Sequence, residues 1–203
     1  MVRENSPSTD EGKNLLIEEF GKNYATYFSI LSAISGGINT QPEIESALGD
    51  KSLGGQIKQL IENYNIIVHQ RPILAIEGSQ TVRYEIHDNF IRFWFNYFDR
   101  HRSLIEIKNF IGLQTIVRSD YLTYFGIMLE RYFKQQLAES FQYRAIGSWW
   151  EPKSNQNEIY IVALKLEKNQ AVAAEVKRQK KNFKPELLAT KVEHLKKKWF
   201  VCR

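Results

Sequence analysis

Two apolar runs separated by a short polar break constrain this chain more than any other feature. Asn157 to Lys165 reads Asn-Glu-Ile-Tyr-Ile-Val-Ala-Leu-Lys, and Ala171 to Arg178 reads Ala-Val-Ala-Ala-Glu-Val-Lys-Arg. Runs of this length bounded by polar turns read as buried strands, so the pair predicts a hairpin. With period two, Glu175 and Lys177 share one face of the second strand and aim a carboxylate and an amine at one point. That pairing suits metal-assisted phosphodiester cleavage, in which carboxylate oxygens hold Mg²⁺ and a lysine orients or deprotonates the attacking water. Such a centre needs a second acid from the neighbouring strand, and the inward position there is Tyr160. A phenol with an ordinary pKa of about 10 ligates Mg²⁺ poorly near neutrality. Glu158 shares the parity of Tyr160 but lies about 6.6 Å further along the strand, at roughly 3.3 Å per residue, which one extra methylene does not span.

The N-terminal half reads differently. The first residues are polar and aperiodic, and residues 1–21 are expected to form a flexible tail. From Tyr24 a helical stripe of Tyr27, Ile30, Leu31 and Ile34 appears and stops at Gly36-Gly37. Thr40-Gln-Pro-Glu43 has capping-box spacing with proline in the first turn, which starts a second, short helix. A third helix carries Leu53, Ile57, Leu60, Ile61 and Tyr64 on its core side. Strands at Ile66 to Gln70 and Val82 to Ile86 flank a loop with Pro72, Gly78 and Ser79. Three helices and a β-hairpin wing give winged-helix order. Bases would then be read by the outward face of the third helix, where Lys51, Gln56, Lys58, Gln59 and Asn63 are candidates. Only two of these are cationic and Glu62 lies beside them, so DNA binding by this face should be weak and salt-sensitive; protein docking is the other reading.

After Asp88, the run Phe-Ile-Arg-Phe-Trp-Phe-Asn-Tyr-Phe is apolar all round, as a helix buried all round would be, and is expected to pack between the two halves of the chain. A long helix over about Ser119 to Ser140 should bury Tyr121, Phe125, Leu129, Tyr132, Phe133 and Leu137. A strand near Tyr143 to Trp149, the hairpin, a helix over Pro185 to Lys198 with Leu188, Val192 and Leu195 inward, and a final strand Trp199 to Cys202 complete an α/β sandwich.

Charge is uneven. Lys177 to Lys198 holds nine Lys or Arg against two Glu, a net of +7 in a chain whose total is +5. A cluster of one sign can hold phosphate backbones, which makes Lys180, Lys181, Lys184 and Lys191 nucleic-acid candidates; a solvated lysine-rich helix face is the bland alternative. A lone Cys202 excludes an internal disulfide, and His69, His87, His101 and His194 lack zinc spacing. Gly49-Asp-Lys-Ser52 lacks the glycines of a phosphate-cradling loop, so ATP binding is not expected in this chain. With no signal-peptide pattern and no run of roughly 20 apolar residues, a cytoplasmic location without membrane contact is expected.

Several motifs carry a resemblance: Glu158-Ile-Tyr-Ile-Val-Ala-Leu164, Ala174-Glu-Val-Lys-Arg178, Gly147-Ser-Trp-Trp150, Gly126-Ile-Met-Leu-Glu130 and Tyr84-Glu-Ile-His-Asp-Asn-Phe-Ile-Arg-Phe-Trp-Phe95. Over residues 13–203 the chain resembles the C-terminal half, a domain of unknown function, of archaeal and bacterial AAA-family ATPases. That resemblance implies a winged helix followed by a region similar to the PD-(D/E)XK nuclease fold, whose strand usually reads Glu-Ile-Asp where this chain has Glu158-Ile-Tyr160. It also makes Glu130 a candidate third carboxylate. The expected organisation is a winged helix over 22–87, a helical linker over 88–117 and a nuclease-like domain over 118–203. The expected role is non-catalytic binding of DNA or a partner, with an N-terminal ATPase module as one partner, a homo-oligomer open, and no cofactor. The alternative is a nuclease with Mg²⁺ on Glu130, Glu158 and Glu175 and Lys177 at the water; the further alternative is protein docking alone.

Overall fold

The computed structural model describes residues 8–75, 82–151, 154–167 and 170–201, a mixed α and β chain with two small antiparallel sheets. It divides into two compact units: residues 1–70 with 82–120, and residues 71–81 with 121–203.

The first unit is helical with one hairpin. Helix α1 (Ser8–Phe20) buries Leu16 and Phe20, one turn apart on one face. The expectation of a flexible tail is therefore corrected for residues 8–20: Leu16 and Phe20, the latter packed on Tyr27 and Tyr64, anchor a stretch whose start looks merely polar. Helix α2 (Tyr24–Ser35) buries Tyr27, Ile30, Leu31 and Ile34, the stripe read from spacing. It stops where Gly37, at φ +94°, supplies a left-handed turn, with its amide bonded to the Ile34 carbonyl and that of Ile38 to Ala33. Helix α3 (Gln41–Ala47) opens on Thr40, whose amide and Oγ1 both donate to Glu43 Oε2 at 3.3 and 2.7 Å. Helix α4 (Gly54–Glu62) buries Ile57 and Leu60. Strands β1 (Ile67–Gln70) and β2 (Arg83–Ile86) pair antiparallel with Ile67 opposite Ile86. Residues 76–81, with the expected turn at Gly78-Ser79, lie outside the described residues.

Helix α5 (Asn89–Phe93), capped by Asp88 Oδ1 accepting from the Ile91 amide at 2.7 Å, runs into a π-helical turn, Trp94–Asp99. The wider turn lets Trp94, Phe95, Tyr97 and Phe98 all be buried. Phe95 and Trp94 pack on Phe28, while Asp99 and Asn96 accept hydrogen bonds from Ser32 and Ser35 of α2 at 3.0 and 2.8 Å. This aromatic segment thus packs inside the first unit, against α2. A short helix α6 (Arg102–Glu106) leads to α7 (Phe110–Glu139), 30 residues long.

In the second unit β3 (Tyr143–Glu151), β4 (Ser154–Lys165) and β5 (Ala171–Ala174) form an antiparallel sheet in the order β3-β4-β5. The hairpin read from the two apolar runs is β4-β5, with Ile161 opposite Ala174 and Leu164 opposite Ala171. Helix α8 (Pro185–Val201) places Leu195 on the sheet core with Trp149, Ile159, Val162 and Leu164, and Leu188 and Val192 pack alongside. Ile73 and Leu74 pack there too, and the Ile73 amide bonds to the Ser148 carbonyl at 2.7 Å. The expected C-terminal strand is a correction: residues 199–201 continue α8, because a four-residue apolar run extends a helix as readily as it forms a strand. Cys202 lies outside the described residues. A further correction concerns α7, which leaves Tyr121, Leu122, Tyr132 and Phe133 exposed where an inward apolar side is expected.

Candidate charged site on the second unit

Two departures from regular strand geometry shape the site. Gly147 pairs with Val162 but Trp149 with Ile159, so β3 advances two residues while β4 advances three. One residue of β4 is extra at Tyr160-Ile161, a β-bulge opposite Ser148. The bulge inverts parity along the strand, so that Ile159, Val162 and Leu164 all reach one core and Tyr160 is left exposed. Tyr160 is therefore not the inward residue that strict alternation predicts. The second departure is that β5 ends at Ala174, and Glu175 and Lys177 lie in the irregular segment beyond it rather than on a strand face.

Convergence survives both departures. The Glu175 side chain, 8% exposed, receives the Lys191 ammonium at 2.9 Å on Oε1 and the Lys177 ammonium at 3.6 Å on Oε2. Lys191 comes from α8, so this carboxylate ties the segment after β5 to that helix. From α7, Lys134 Nζ donates to Ser148 Oγ at 2.8 Å, and Ser148 Oγ donates to the Tyr160 carbonyl at 2.8 Å, which satisfies the backbone at the bulge. Glu130, one turn before Lys134 on α7, is partly buried within electrostatic reach of the same groups. Burial pushes its carboxyl up to about 7; the Lys134 and Lys177 ammoniums pull it down, and the Glu158 and Glu175 carboxylates push it further up.

That pKa carries a prediction. The folded chain holds the Glu130 proton to about pH 7, against 4.5 as the ordinary value, so its contribution to stability is complete below about pH 4.5 and is lost as pH rises towards 7. Glu130→Gln, which cannot ionise, should be more stable than the natural chain above pH 7 by about 1–2 kcal/mol, a figure reduced for partial solvent screening. At pH 4.5 the two should melt alike. Urea titrations at both pH values check this, and an equal offset at the two would exclude titration of Glu130 as its source.

As a metal centre the donor set does not fit. Both Glu175 oxygens face ammonium groups, and among the described residues no three His, Cys, Asp or Glu side chains come together so as to hold an ion. Glu130, Glu158 and Glu175 are neighbours in charge but not a ligand set.

The nucleic-acid candidates separate as well. Arg178, Lys181 and Lys184 are exposed on the stretch between β5 and α8, which includes a 3₁₀ turn at Lys180–Asn182; the Lys180 side chain lies outside the described residues. Lys191 belongs to the ion cluster instead. In the first unit Lys51 is exposed ahead of α4, Lys58 lies 3.7 Å from Glu62, and Gln59 accepts a hydrogen bond from the Tyr27 hydroxyl, which draws it towards α2. The face of α4 thus offers fewer reading groups than its sequence suggests. The partners Lys134 and Ser148 were missed in the sequence because single residues on separate elements leave no spacing signal.

Comparison with known proteins bears on the same region. Residues 94–192 match the model of a family described as archaeal and bacterial proteins of unknown function. An uncharacterized protein of Methanocaldococcus jannaschii is 36% identical over 161 residues, which cover 75% of this chain. They cover 35% of that protein, so the chain spans about a third of the length of the curated relative it matches. No solved structure matches the chain. Among the described residues no helix is long and apolar enough to cross a membrane.

Proposed function

We propose that this chain is the binding portion of a longer, AAA-type ATPase-like protein, a winged helix followed by a PD-(D/E)XK-like domain that contacts DNA without cutting it. The helix order α2, α3, α4 followed by the β1-β2 hairpin supports the winged helix, and α7, the β3-β4-β5 sheet and α8 support the nuclease-like unit. The much greater length of the archaeal relative leaves room for an ATPase module.

The observation that carries the reading is the division of charge in the second unit. The carboxylate that a nuclease would use is neutralised by Lys177 and Lys191, whereas Arg178, Lys181 and Lys184 stand exposed on one connecting segment. Exposed cations at close spacing displace counterions from a phosphate backbone, which favours polyanion binding that weakens steeply with salt. Alanine at all three positions should weaken binding of a short duplex in gel shifts at about 50 mM salt and reduce the log–log salt slope by about 2–3. Absence of any shift at that salt would remove the DNA reading and leave docking to the ATPase module or another protein. In the same series supercoiled plasmid with Mg²⁺ or Mn²⁺ should stay uncut; nicking that disappears in Glu175→Ala would restore the metal-dependent nuclease with Glu130, Glu158, Glu175 and Lys177.

A further inference from the structure

From Tyr121 onward the long helix α7 belongs to the second unit, and there it carries an apolar face that the sheet of that unit does not cover. Tyr121 is 52% exposed, Leu122 49%, Tyr132 54% and Phe133 43%. At about 100° per residue these four, with the half-buried Phe125 and Leu129, fall within a face about 120° wide. Lys134, whose ammonium reaches Ser148 on β3, projects about 160° round the helix from the middle of that face. The sheet is therefore on the other side. Tyr121 and Phe125 stack at 5.8 Å and Tyr132 meets Phe133 edge to face at 5.5 Å, so the exposed rings already form ordered pairs.

The order of residues on this face identifies what it fits. Read outwards from Ile127, Phe125 and Leu129 are equidistant, then Leu122 and Tyr132, then Tyr121 and Phe133. A face apolar at mirror positions is complementary to itself when two identical helices run antiparallel, which is the requirement of a two-fold interface. We infer that α7 pairs with α7 of a second copy of this chain, antiparallel, with the two-fold axis at the level of Ile127. Tyr121 then meets Phe133 of the other copy, Leu122 meets Tyr132, and Phe125 meets Leu129. Aromatic side chains offer about 150–250 Å² each, so the four half-exposed residues leave on the order of 400 Å² open per copy. Doubling this and adding Phe125, Leu129 and the polar rim reaches about 1,000 Å² in total, the lower end of specific interfaces. The dimer is accordingly weak, with a dissociation constant on the order of 10 μM.

Sedimentation of the full chain from about 1 to about 100 μM should show monomer passing to dimer across that range. Leu122→Glu with Tyr132→Glu sets carboxylates opposite one another and should raise the dissociation constant at least about tenfold. Both positions are exposed, so the thermal melt of the dilute monomer should be unchanged. Orientation is read by cross-linking in a Cys202→Ser background. A mixture of Tyr121→Cys and Phe133→Cys chains should form a disulfide-linked dimer. Neither variant alone should do so, since like positions lie about 18 Å apart at about 1.5 Å per residue, beyond disulfide reach. A chain monomeric throughout, the face being covered by some other segment or by nothing, overturns the inference. So does a dimer indifferent to the two glutamates, or one that cross-links between like positions.

Discussion

Replacing Glu175 with alanine should destabilise the chain by about 2–3 kcal/mol, the largest effect expected of any single polar substitution in the second unit. The carboxylate is 8% exposed and faces two ammoniums. Removing it strands Lys191, itself 22% exposed, with a charge that has lost its nearest counter-ion. Lys177, at 39%, is wet enough to recover most of its solvation and adds little. For a unit of this size the melting temperature should drop by roughly 10–20 °C, at about 4–8 °C per kcal/mol. Glu175→Gln, which keeps an acceptor for Lys191, should lose less than alanine does. Lys191→Met added to Glu175→Ala should recover stability, because the stranded charge goes with it. A melt unchanged in Glu175→Ala would mean that the carboxylate is not holding α8 to the end of β5.

Trp149→Ala should be costlier still, about 3–5 kcal/mol, since it empties the centre of the apolar cluster between the sheet and α8. Trp149 is 4% exposed and packs among Ile159, Val162, Leu164 and Leu195, drawn from β4 and α8. In urea the midpoint should fall with little change in slope, the mark of a folded state that has lost packing rather than compactness. Trp149→Phe, which keeps much of the volume, should stay within about 1.5 kcal/mol of the natural chain. If alanine is tolerated as well as phenylalanine, the β-bulge at Tyr160 is not gathering Ile159 and Val162 into one core.

Local features of the sequence were legible where local physics decides. The α2 stripe, the Thr40-Glu43 cap, the glycine stop at Gly37 and the β4-β5 pairing each follow from residues within one or two turns of each other. The bulge was not legible, because Tyr160 and Ile161 differ in no way from residues of a regular strand and only the pairing with β3 forces the extra residue. That one irregularity turned Tyr160 outward and so altered the reading of the expected acidic position. Glu175 and Lys177 are legible as a pair because charge in apolar surroundings needs company, whereas Glu130 enters only through the family resemblance. Which partner each would choose depended on Lys134 and Lys191, set by the packing of α7 and α8 rather than by spacing. Spacing alone makes the exposed rings of α7 look like core, because helical periodicity registers an apolar stripe without saying whether anything in the same chain faces it.

The path of the chain between β1 and β2 has a topological consequence. The polypeptide leaves the first unit after Gln70, lends Ile73 and Leu74 to the apolar cluster of the second, returns at Val82 and crosses again after Asp120. The two units are thus joined by three peptide junctions, like cloth stitched three times instead of pinned once. A single nick at either of the first two leaves residues 121–203 covalently attached to residues 82–120, whereas a fragment starting at Tyr121 is deprived of two side chains that its interior is shaped around.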